Sequence, residues 1–164
     1  MKKIGDYFIN HDLSKTIKCY EAAAKKALES GKPNLSGSLY GVLGECYASL
    51  KKYEDAAKNY ARSAGIYYEC RECFEAAWRY CLSGFYFILS GNLNQASFMA
   101  TRAESVCIED KINVILNDLA LICKFLSEGS INEAKKRWVN IRRKFKEKYV
   151  KLIESCFQTL NSAN

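Results

Sequence analysis

Three cysteines fall close together in YECRECFEAAWRYC, residues 68–81: Cys70, Cys73 and Cys81. The Cys-x-x-Cys spacing of the first two is that of half a zinc site or of a redox dithiol. Zinc needs four ligands, or three and a water, and favours thiolate and imidazole. The chain holds one histidine, His11, and no second Cys-x-x-Cys. A redox dithiol opens a helix after a strand, and no strand pattern precedes these residues. On a helix, Cys73, Ala77 and Cys81 share one face, where free cysteine packs as a small hydrophobe. Packing is therefore the expected role, with metal or redox chemistry the alternative. His11 lies eight residues from Cys19, but nothing supplies the third, orienting group of a nucleophile site; it reads as a solvated side chain. Gly41-Val-Leu-Gly44 sits inside a helical pattern and lacks the lysine of a phosphate loop. No acid–base pair is assembled, so neither an enzyme nor a cofactor is expected.

The elements that position these residues follow from composition and rhythm. A chain of 164 residues that is 49% hydrophobic and 26% charged reads as one soluble globular domain, residues 1–164. One proline, Pro33, leaves room for long helices. No apolar run approaches the roughly 18 residues of a membrane span. The start, MKKIGDYFIN, has no apolar signal core, so export is not expected. The eight cysteines then read as free thiols of a reducing, cytoplasmic interior.

Four stretches share a pattern: HDLSKTIKCYEAA from His11, KKYEDAAKNYARSA from Lys51, GNLNQASFMATRA from Gly91 and GSINEAKKRWVNI from Gly129, starting 40, 40 and 38 residues apart. Each has an apolar residue two positions after its start (Leu13, Tyr53, Leu93, Ile131). Three have alanine three further on (Ala56, Ala96, Ala134), where the first has Thr16. A helix-like segment precedes each of the last three; aligning them superposes Gly44 on Gly84, and Tyr47 on Phe87 and Phe125, with Ile122 where the glycines stand. Asn92 with Gln95, and Ser130 with Glu133, have capping-box spacing. A period near forty residues indicates stacked helical pairs. The expected fold is all-α: three hairpins, a partial one before them and a C-terminal closing helix.

The small residue, the aromatic three positions later and the alanine of the second helix resemble the tetratricopeptide repeat. The longer period, and YARSAGIYYECRECFEAAWRYCLSG at residues 60–84, resemble the soluble NSF attachment proteins, across roughly residues 12–160. That resemblance implies a non-catalytic adaptor for vesicle fusion and protein transport. Its partners would be helical, coiled-coil proteins of the SNARE kind, with an AAA-type ATPase as a further one. The family's tails carry acidic residues before a near-terminal leucine; here FQTLNSAN has Leu160 but no acid after Glu154, which puts ATPase stimulation in doubt.

In such a stack the first helix of each pair lines a concave groove. By alignment the middle pair offers Trp78, Cys81, Phe85, Ile88 and Leu89, and the next Leu116, Leu119, Cys123 and Leu126. The first offers the small and polar Ser38, Gly41, Glu45, Ala48 and Ser49. An exposed groove so apolar calls for a cover: either the chain's own amphipathic end, with Tyr149, Leu152, Ile153, Cys156, Phe157 and Leu160 at helical spacing, or a helix from a partner or a second copy. The net charge of +7 concentrates between Glu133 and Glu154, which hold nine basic and three acidic residues. Lys135, Lys136, Arg142, Arg143, Lys144, Lys146 and Lys148 are therefore candidate contacts for an acidic partner surface, the use the resemblance also implies. Single-stranded nucleic acid is the competing partner, because Trp138, Phe145 and Tyr149 lie among the charges, although Trp138 and Ile141 fall at core positions. A phospholipid surface is a third, and self-association through the groove a fourth.

Overall fold

A computed structural model describes residues 2–111 and 114–163, with side chains from Asp12 onward. Helices α1 (Lys2–Glu29), α2 (Pro33–Ser49), α3 (Tyr53–Glu69), α4 (Cys73–Leu89), α5 (Leu93–Glu109), α6 (Val114–Ser127), α7 (Ile131–Ile141) and α8 (Glu147–Ser162) follow one another, with a 3₁₀ turn at Arg142–Lys144. The described residues contain no strand. No helix among them is long and apolar enough to cross a membrane.

Helices α2 to α5 are each 17 residues long and begin 20 residues apart. The beat is therefore half the one that composition reveals. What repeats is the way a helix ends. The N–H of Lys32, Lys52, Glu72, Asn92 and Ser130 bonds back to the carbonyl of Ala27, Tyr47, Tyr67, Phe87 and Phe125 at 2.8–3.0 Å, the six-to-one bond of a Schellman turn. That turn requires a left-handed residue just before the donor. Gly31, Gly91 and Gly129 supply it without strain, whereas Lys51 and Arg71 adopt φ of 58° and 64°, and Lys111 after α5 is likewise left-handed at 51°, at about 1–2 kcal/mol each. Of the two expected capping boxes, one forms its N-cap half only, because the Asn92 N–H bonds the Phe87 carbonyl instead. The Asn92 side chain accepts from the Gln95 N–H at 3.3 Å, but Ser130 makes no such bond and Glu133 turns to Lys136 instead.

Helices α1 to α7 each pack on their neighbours in the chain, α4 also touches α6, and α8 returns onto α4 and α6. This is a helical stack built pair upon pair. The twenty-residue register recurs in the core: Ser36, Ala56, Ala76 and Ala96 are all fully buried, as Ala134 is in α7. In the first copy, exposed Thr16 instead bonds the Asp12 carbonyl at 2.9 Å. Buried serines tie neighbouring helices together. Ser63 donates to the Gly37 carbonyl at 2.6 Å and Ser83 to the Ala57 carbonyl at 2.8 Å, the same contact moved by 20 residues. The forty-residue beat survives in other pairs. Arg62 lies 4.4 Å over the Tyr40 ring and Arg102 5.4 Å over Tyr80.

The aligned glycines are places of close approach. A Cβ on Gly44 would sit 2.7 Å from the Tyr60 ring, and one on Gly84 would sit 2.5 Å from the Cys123 sulfur. Ile122 stands at the matching position of α6 and is fully buried. The apolar interior divides in two. A small cluster of Ile17, Ala24, Tyr40, Leu43 and Ile66 lies at the α1–α3 end. A much larger one runs from α3 to α8.

Candidate interaction site

The last helix decides what the groove is. In α8, Leu152, Ile153, Cys156 and Phe157 form one buried stripe within the same cluster as the α4 and α6 groove positions. The Cys156 thiol reaches the Phe85 carbonyl at 3.3 Å. Consequently Cys81, Phe85, Ile88, Leu119, Cys123 and Leu126 are fully buried, Leu116 nearly so, and Leu89 half-buried. These expected partner contacts are core residues of this fold rather than an open wall. The physical reason is proximity: a covering helix on the same chain is present at a high effective concentration. Of the nine expected α4–α6 groove positions, half-buried Trp78 and the edge of Leu116 line an open cleft.

Two clefts flank α8. The first, of about 340 Å³, lies between α2 and α8 and is lined by Glu45, Ala48 and Ser49 with Tyr60, Tyr86, Lys148 and Tyr149. Lys148 bridges it to Glu45 at 3.3 Å. Partial burial pulls the Lys148 ammonium down, but bonds to Tyr149 and Glu45 outweigh this and hold its pKa above the ordinary value. Tyr60 and Tyr86 stack at 5.5 Å, and burial pushes the Tyr86 phenol up to about 12. This cleft is neutralised by its own residues.

The second cleft, of about 400 Å³, opens at the N-terminal ends of α4 and α6. Its floor is aromatic. Trp78 stacks on Phe145 with centroids 6.2 Å apart and takes the edge of Tyr149 at 4.8 Å, while Trp138 lies behind Phe145 at 5.8 Å. Phe74 and Ile115 stand at its side, and Lys144 and Lys146 also line it. The chain reaches this arrangement because the 3₁₀ turn ends at Phe145 in an extended conformation, which turns that ring inward between two outward lysines.

All seven basic candidates are exposed, but they do not form one uniform field. Lys136 pairs with Glu133 at 3.0 Å, Arg142 with Glu154 at 2.6 Å, and Lys148 with Glu45. Among the described residues, Lys135, Arg143, Lys144 and Lys146 make no ion pair. Their free charges run along α7, the 3₁₀ turn and the start of α8. Trp138 is buried, and Phe145 and Tyr149 are half-buried among other rings, so the aromatics among these charges face inward.

The cysteines of the 68–81 stretch separate. Cys81 is wholly buried, and burial raises its thiol well above the ordinary range; the same holds for Cys123. A bond to Asp110 and partial burial raise Cys73, while Cys70 sits half-buried at the turn. A thiolate nucleophile needs the opposite shift, and Cys81 and Cys123 lie inside the apolar core with Cys73 packed against it. The His11 side chain lies outside the described residues. Residue-type reasoning missed the second cleft. Its one advance signal was Phe74, an aromatic in the first turn of α4 that falls off the buried stripe, 53% exposed. Comparison of the chain with protein families, curated proteins and solved structures finds no match.

Proposed function

We propose that this chain is a non-catalytic adaptor that binds an acidic helical or coiled-coil protein through the outer surface of α7, the 3₁₀ turn and the start of α8. The observation that supports this reading most is the set of four exposed cations, Lys135, Arg143, Lys144 and Lys146, left without acidic partners beside three others that are paired. Unpaired surface charge of one sign steers an oppositely charged partner and gains from meeting it. A stack of helical pairs offers a stable platform whose outer positions vary without disturbing the core. The attachment-protein resemblance favours the same class of partner, a bundle of acidic helices of the SNARE kind at a membrane-fusion step, with an ATPase as a second partner.

Nucleic acid is the less favoured partner. Stacking on bases needs free ring faces, and here Trp138 is buried while Trp78, Phe145 and Tyr149 occupy one another. A groove-mediated dimer would have to expel α8. The test is titration with an acidic coiled-coil bundle, read by calorimetry at two salt concentrations. Binding that weakens with salt, and by at least about tenfold in the Lys135→Glu, Arg143→Glu, Lys146→Glu triple variant, supports the reading. Binding indifferent to all three reversals contradicts it.

A further inference from the structure

The second cleft combines two features that the charged surface alone does not explain. It is an aromatic hollow of about 400 Å³ with Phe74 standing 53% exposed at its side, and two of the four unpaired cations, Lys144 and Lys146, line it. The carboxylate there, Glu75, is already tied to Arg79 at 3.2 Å, so the free charge at the mouth is positive. An apolar hollow held open to water is stabilised by any apolar group that displaces that water. The ring faces are committed to each other: Trp78 to Phe145, Tyr149 edge-on to Trp78, Trp138 against Phe145. The exposed Phe74 ring and the aliphatic Ile115 and Leu116 complete the lining for a guest, a mixed apolar wall that suits a branched side chain.

We infer that this cleft seats a leucine-sized apolar side chain carried on an acidic helix, and that this anchor, rather than charge alone, selects the partner. The inference rests on the reading of the charged surface given above and adds a site to it. Charge brings the helix to the surface, and the cleft fixes its register. Such a division is common at interfaces, where one buried apolar anchor carries most of the discrimination and surrounding charges set the rate of encounter.

The probes are two designed helical peptides of equal glutamate content. One carries a pair of leucines one turn apart and the other has serines in their place. Fluorescence anisotropy with the full chain is expected to show the leucine peptide bound about tenfold more tightly than its twin, the scale of burying one aliphatic side chain. Phe74→Ser, on an exposed ring that the fold does not need, should erase that preference and leave binding at the level of the serine twin. Circular dichroism confirms that the variant folds. Lys135→Glu with Arg143→Glu, away from the cleft, should weaken both peptides equally and keep the preference. Equal binding of both peptides, untouched by Phe74→Ser, overturns the anchor while the charged-surface reading stands. Failure of both peptides to bind overturns the two together. Binding of a single-stranded RNA that depends on Phe74 assigns the cleft to nucleic acid and overturns the inference in its present form.

Discussion

The α2 and α4–α6 stretches of the expected groove occupy the same helix position in successive pairs, yet they have opposite fates. The α2 wall, with Gly41, Glu45, Ala48 and Ser49, is small and polar, and part of it lines an open cleft. The α4–α6 wall is apolar, and Cys81, Phe85, Ile88 and Leu119 of it are fully buried in the core that α8 joins. The chain covers what water penalises and leaves exposed what water tolerates. A solenoid groove is therefore not a binding site by position. Its availability depends on whether the chain holds a helix of its own to fill it, and here that helix moves the open surface outward to the charged turn beside Phe145.

That contrast sets the scale of what substitutions should do. On the covered wall, Phe85→Ala is expected to cost about 3–5 kcal/mol, the loss for a fully buried aromatic plus its cavity, measured by urea denaturation; a cost below 1 kcal/mol would mean that α8 does not seal the wall. Gly84→Ala should destabilise by about 1–3 kcal/mol through overpacking against Cys123, despite alanine's better helix propensity. If the variant is instead more stable, the approach of α4 to α6 is looser than described. Ser83→Ala, which removes the bond to the Ala57 carbonyl, should cost about 1 kcal/mol, read in the same way. On the open wall, Glu45→Gln breaks only the exposed pair with Lys148 and should change stability by less than about 1 kcal/mol. An effect as large as that of Phe85→Ala would erase the distinction between the walls.

The helices and their pairing were legible in the sequence because they rest on apolar spacing and on glycine breaks such as Gly91 and Gly129, and the amphipathic C-terminal segment stood out as one cover for the groove beside a partner helix or a second copy. The twenty-residue unit was not. At a second recurring core position, beside that of Ser36, Ala56, Ala76 and Ala96, the residue changes from Leu43 to Ser63, Ser83 and Ala103, all buried, so chemistry hides the geometry there. Nothing in the residue type shows that Ser63 and Ser83 are inside, because a serine is buried only once a neighbouring carbonyl satisfies its hydroxyl. The turns at Arg71 and Lys111 were equally hidden, since left-handed backbone is usually announced by glycine. The charge of the C-terminal segment was plain to count, but pairing was not. Lys148 meets Glu45 from 103 residues away, a distance that only the stack closes.

Everything proposed for partners depends on α8 staying seated while the outer surface binds. Amide hydrogen exchange across Leu152–Phe157, followed with and without a bound acidic coiled-coil bundle, tests this most directly. The account predicts slow exchange in the free protein, comparable with the core of α4, and no loss of protection in the complex. Rapid exchange in the free protein, or protection that vanishes on binding, would show that the partner takes the groove and that α8 is only its placeholder.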